Sequence, residues 1–285
     1  MKKFYFLLAA VCVHASTLGQ TDTTSKKGEP QTDTDTIRIG NILIIKTPGK
    51  NKEEEKHNED DTSYVHGDHG RMKHGNLSTN WGIVDLGFNN YTDNTNYASA
   101  SAQQFAPGSN KDWFKLRNGK SVNVNIWFFM QRLNLIKRVV NLKYGIGLEL
   151  NNYRYEDDIR YNTNPTLVYK DATQYSKNKL AADYVTVPMM LNFNFTPRKD
   201  NNKAFGFSVG ASAGYLYSSR QKFVSSSTGK KKTKDDFDLR PYKISYIGEL
   251  QLGPVKLYGS LATQSMFEKG LDQTPYNVGI RLSNW

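Results

Sequence analysis

Residues 184–195 read YVTVPMMLNFNF, and this stretch constrains the fold more than any other. Val185, Val187, Met189, Leu191, Phe193 and Phe195 take every second position, with Tyr184, Thr186, Pro188, Met190, Asn192 and Asn194 between them. Period two marks a strand with one apolar face and one unlike it. Pro188 falls on the more polar face and cannot donate to a ladder, so a bulge or a bridging water is expected there.

The pattern recurs. Residues 81–91 set Val84, Leu86 and Phe88 against Asp85 and Gly87. Residues 121–131 set Val122, Val124, Ile126, Phe128 and Met130 against Asn123 and Asn125. Residues 139–155 alternate Leu142, Tyr144, Ile146, Leu148 and Leu150 with Lys143, Gly145, Gly147, Glu149 and Asn151. Residues 205–217 alternate aromatic or aliphatic positions with Gly and Ser. Residues 242–252, 255–263 and 276–282 complete the set. Of these eight segments all but 276–282 have nine residues or more, long for a soluble sheet and suited to a tilted membrane crossing.

The connections alternate long and short. Residues 132–138, 197–202 and the turn Gly253-Pro254 are short. The stretches 92–120 and 156–178, the segment around SSSTGKKKTKDD, and 264–275 are long. Outer-membrane barrels combine long extracellular loops with short periplasmic turns, which places both termini in the periplasm. Alternation alone also fits a soluble closed barrel. The loop asymmetry, the aromatic strand ends and the N-terminal leader favour the membrane. The predicted fold is all-β: an eight-stranded antiparallel up-and-down transmembrane barrel over 81–285.

That leader is MKKFYFLLAAVCVHASTLG. Lys2 and Lys3 precede a ten-residue apolar run and small residues, so 1–19 reads as a secretory signal peptide. Cys12 is the only cysteine and would leave with it, which removes thiol and disulfide chemistry. Residues 20–80 read as a periplasmic segment, mostly disordered and rich in Thr, Asp, Glu and Lys, with a short strand or hairpin near 37–46. The formal charge of +11 falls to +9 without Lys2 and Lys3. Its one dense cluster, Lys230–Lys232, reads as a solvated loop, with attraction to lipopolysaccharide phosphates as the alternative. No basic helix or nucleic-acid motif appears, so nucleic acid is not an expected partner.

Candidate chemistry is sparse. A serine-dependent barrel hydrolase needs a base beside its nucleophile, and no histidine follows His74. The chain therefore reads as non-enzymatic, with no cofactor. His66, His69 and His74 form the single metal-ligating pattern, but the glycine-rich segment imposes no geometry, and a solvated linker is the simpler reading. The inward phases carry Asp85, Lys143, Glu149, Lys243, Glu249, Lys256 and Arg281. Eight strands enclose only enough room for side chains, so this mixed-sign set reads as an ion-paired polar lumen, with a narrow proton or ion path as the alternative.

Tyr184, Val185, Val187 and Pro188, the following GFSVGASAGYLY, and DTIRIGNILIIK at 35–46 resemble the PorT-like outer-membrane barrel proteins of Bacteroidetes. The resemblance implies an eight-stranded outer-membrane barrel. PorT itself is associated with type IX secretion, and that role is not carried over. The functional expectation is a structural or accessory barrel in contact with outer-membrane lipid and lipopolysaccharide. It would act through its loops or through a tail that meets a periplasmic or outer-membrane protein. A small-solute or ion transport barrel and a loop-mediated adhesin are the alternatives.

Overall fold

The computed structural model describes residues 35–39, 42–46, 75–197 and 203–283. The chain divides into two units, 1–69 and 70–285. In the first, β1 (Asp35–Ile39) and β2 (Ile42–Lys46) pair antiparallel, with Ile39 opposite Ile42. The rest of the N-terminal segment, with His66, His69 and His74, lies outside the described residues.

The second unit is a closed antiparallel ring. Its strands are β3 (Leu77–Asp93), β4 (Val122–Ile136), β5 (Val140–Arg154), β8 (Lys177–Asn194), β9 (Phe205–Ser225), β11 (Tyr242–Leu252), β12 (Val255–Ala262) and β13 (Gln273–Leu282). Each pairs with the next, β8 pairs with β9, and β13 returns to β3. This is the eight-stranded barrel that the alternation predicts. Three further strands lie outside the ring. β6 (Ile159–Asn162) and β7 (Leu167–Lys170) form a hairpin, and β10 (Gly229–Lys234) pairs with the far end of β9.

Period two decides which face each residue takes. On β13, Tyr276, Val278, Ile280 and Leu282 are exposed, while Asn277 and Arg281 are buried. On β8, Val187, Met189 and Leu191 face out, and Tyr184, Thr186, Pro188, Met190 and Asn192 face in. The apolar side chains are thus on the outside of the ring. An aqueous protein does not bury asparagine and arginine while exposing Val, Ile and Leu; a lipid-facing wall does. Phe195–Phe205 and Phe193–Phe207 stack at the short-turn end, and Tyr215–Tyr242 pack at the long-loop end. From Phe205 to Tyr217 is twelve residue steps along β9. At about 3.4 Å per step and about 45° tilt, the girdles stand roughly 30 Å apart, the thickness of a hydrocarbon core.

The structure corrects several expectations. Met130 points inward and is buried, because the register between β4 and β5 shifts between Trp127 and Phe129 and flips the phase. The facing strand breaks phase in the same place. Gly82 adopts φ 66°, and both Asn80 and Ile83 are buried. That break hides the true start of β3, which is Leu77 rather than Trp81. Pro188 carries no bulge. The β5–β8 ladder is interrupted between Tyr144↔Met189 and Gly147↔Thr186 without change of register, and the shift on β8 falls instead at Asp183/Tyr184. The long connections are not featureless. The first holds helix α1 (Ala100–Phe105), whose N-terminus is capped by Ser99, and the second holds β6–β7. Lys230–Lys232 form a strand, because β9 runs past the barrel rim and offers an edge.

Candidate functional site: the closed lumen and its cap

Five strands, β3, β5, β11, β12 and β13, bring the inward charges together. β13 and β3 place Arg281 opposite Asp85, and β12 places Lys256 opposite Arg281. The Arg281 guanidinium donates to both Asp85 oxygens, Nε at 2.7 Å and Nη2 at 2.8 Å, a bidentate fork. Its third donor, Nη1, reaches Glu249 Oε2 at 2.5 Å, and Lys143 Nζ donates to Glu249 Oε1 at 2.5 Å. Lys143, Glu249, Arg281 and Asp85 therefore form one chain of ion pairs across the lumen. Lys243 binds Glu149, which also accepts from Asn151 Nδ2 at 3.2 Å and Thr186 Oγ1 at 3.3 Å. Lys256 Nζ donates to Ser283 Oγ at 2.5 Å. Six of the seven inward charges sit in ion pairs, and Lys256 is held by a hydroxyl.

Trp127 is a member that sequence reading missed. Its indole Nε1–H donates to Asp85 Oδ2 at 2.7 Å, beside Asn125 Nδ2 at 3.2 Å. The signal was present, since Trp127 is in phase with Asn123 and Asn125. A large apolar residue on a polar face is easily set aside as part of the wall. Trp127 lies opposite Gly147, where an added Cβ would stand 2.4 Å from the Ile126 carbonyl and 2.8 Å from the indole ring. Glycine there gives the ring its space. Among these side chains remains a cavity of about 30 Å³, lined by Asn125, Trp127, Glu149, Thr186 and Arg281 among others. That is room for one or two waters and no solute.

The long-loop mouth is closed by an apolar core. Phe105, Phe114, Tyr155, Ile159, Tyr161, Val168, Phe237, Met266, Phe267 and Leu271 are all buried in one cluster with Tyr91, Tyr153 and Tyr184 from the strands. Tyr161 stacks on Phe267 at 6.2 Å and meets Phe237 edge-on at 5.5 Å. The Tyr155 and Tyr161 hydroxyls share a 2.7 Å hydrogen bond, and burial pushes both phenols well up. Polar contacts tie the hairpin to the wall. Gln221 Nε2 donates to the Ile159 carbonyl at 2.8 Å, while the Tyr161 amide donates to Gln221 Oε1 at 3.1 Å. At the base of the hairpin, Asp171 accepts from Tyr175 OH at 2.6 Å and from Arg160 at 3.3 Å.

A closed β-ring with an apolar outer band, aromatic girdles and a polar interior defines an integral outer-membrane barrel. Residues 77–271 match the family model described as outer membrane protein beta-barrel domain, more than half of the chain. The chain belongs to that family, and its place is the outer membrane. No curated protein matches it. Among solved structures it resembles Ail, the attachment invasion locus protein of Yersinia pestis. The likeness is to Ail crystallised with the heparin analogue sucrose octasulfate at 10% identity, and to Ail alone at 11%. Each covers 72% of this chain and 98% of the other, at a TM-score of 0.28, too distant to bear on function.

Proposed function

We propose that this chain is a non-conducting, non-enzymatic barrel that serves as an anchored scaffold of the outer membrane. Its long-loop cap faces the outside of the cell, and both termini and the β1–β2 hairpin face the periplasm. The observation that carries this reading is the double closure of the lumen, by ion pairs across the middle and an aromatic core over one mouth. A barrel filled in this way works through its surfaces rather than its interior. The hairpin offers one such surface. Neither β1 nor β2 pairs with another described strand, so each has an edge to which a partner's strand can be added.

Gentle detergent extraction from the native membrane, followed by sizing and identification of co-purifying proteins, tests the proposal. A stoichiometric partner that disappears when residues 20–74, short of the first residue of β3, are deleted is the expected result. A lone particle of the barrel's own mass contradicts it.

A further inference from the structure

Beyond the rim, the outward face of β8, β9 and β10 is a grid of cations. Arg154 on β5 lies opposite Lys179 on β8, Lys179 opposite Lys222 on β9, and Lys222 opposite Lys232 on β10. This is a row of four basic residues on four adjacent strands. Arg220 opposes Lys234 in the row nearer the membrane, and Lys177 and Lys230 flank Val224 in the row beyond. Strands about 4.8 Å apart carry these charges on one side. Like charges placed directly opposite one another oppose folding. Lysines on an edge strand guard against unwanted pairing, which accounts for β10 but not for Arg154, Lys179 or Lys222 on interior strands.

Little on the protein offsets this charge. Asp183 on the same face binds Arg220, and Arg154 donates to the Ser176 carbonyl at 2.8 Å. Lys177, Lys222, Lys230, Lys232 and Lys234 form no ion pair with a described residue. Burial, then the charges of Lys177, Lys222 and Arg220, pull Lys179 down to about 8. Lys222 is also lowered, chiefly by Lys230. The opposite face is occupied: Leu180, Gln221 and Phe223 are buried, and Arg160 lies over the Phe223 ring at 4.8 Å.

We infer that this outward face binds the phosphate groups of the glycolipid in the outer leaflet. The choice of occupant rests on position. The face continues directly from the lipid-facing residues of the same strand, with Tyr215 and Tyr217 exposed just below Arg220. Arg220 is three residues past Tyr217, roughly 7 Å along the membrane normal for a strand tilted about 45°, which is headgroup depth. Lysine and arginine donors there meet phosphate oxygens in charge-assisted hydrogen bonds. The inference rests on the proposed orientation, with the cap outside.

The test uses the full chain, purified in detergent and mixed with vesicles containing either phosphorylated lipid A or the same lipid after phosphatase treatment. The wild type is expected to retain the phosphorylated lipid preferentially. The K222E/K232E variant should lose roughly tenfold or more of that retention, the scale of two charged hydrogen bonds lost. K222Q/K232Q should fall between them. Heat-modifiable gel mobility checks that each variant keeps its barrel. Equal retention of both lipids, or unchanged retention by intact variants, overturns the inference. So does binding of a soluble sulfated polysaccharide without binding of phosphorylated lipid A. Labelling of a S226C variant on intact cells reads the orientation separately. If the label fails to reach it while phosphate binding survives, the orientation has failed and not the site.

Discussion

Arg281 shows how much structure one residue can carry. Its guanidinium joins Asp85 and Glu249, which come from strands far apart in sequence, and it is 6% exposed. Removing one partner of such a buried pair leaves a charge with neither water nor counter-ion. Asp85→Ala is therefore expected to destabilise the barrel by about 3–5 kcal/mol. Urea unfolding in detergent micelles measures it, and a loss under 1 kcal/mol would mean that the network contributes little. Glycine sets a second constraint at this scale. Gly279 lies opposite Gly87, and a Cβ on it would stand 2.2 Å from the Leu86 carbonyl. The neighbour is backbone and cannot swing aside, so Gly279→Ala should cost about 1–3 kcal/mol in the same experiment.

Among the elements, the strands were legible and the cap was not. A strand in a barrel obeys a local rule, apolar out and polar in, and residues 242–252 and 255–262 keep its phase along their length, with Ile247 and Ala262 as apolar exceptions on the inner side. The rule fails where a register shift adds a residue, as at Phe128, so Met130 packs inside although the alternation before it points it to lipid. The cap residues have no period. Phe105, Ile159, Phe237 and Phe267 are scattered through polar loops and meet only because the ring brings its long connections to one end. The inward charges were legible one by one, but not which of them pair, since pairing depends on the ring's closure. Phe267→Ala is expected to loosen the cap by about 3–5 kcal/mol while the ring persists. Limited proteolysis should then cut residues 156–176, with gel mobility of the barrel unchanged. Acid offers a second probe of the same hairpin. The Tyr175 hydroxyl, and then the amide of Thr173, hold Asp171 at about 2, below its ordinary 3.8. A depressed carboxylate contributes stability above its unfolded value and loses it as pH falls towards 2. The protection factors of the β6–β7 amides, with the intrinsic pH dependence of exchange divided out, should be unchanged from pH 7 to 5 and lower at pH 2. Unchanged protection at pH 2 would show that Asp171 contributes nothing.

For the whole molecule, the physics of lipid and water divides the labour. The outer wall is apolar because it meets hydrocarbon. The interior is polar and paired because an eight-stranded ring is too narrow for bulk water and too wide to leave empty. The mouth is sealed by aromatic rings because the long loops, unlike the strands, have no lipid in which to bury them. Each of these closures opposes conduction, and together they make the proposed scaffold role specific. Electrical recording of the full chain in planar bilayers tests this most directly. Baseline current with no reproducible channel steps is the predicted result. A stable, salt-dependent conductance from correctly folded protein would contradict it and make the lumen a path.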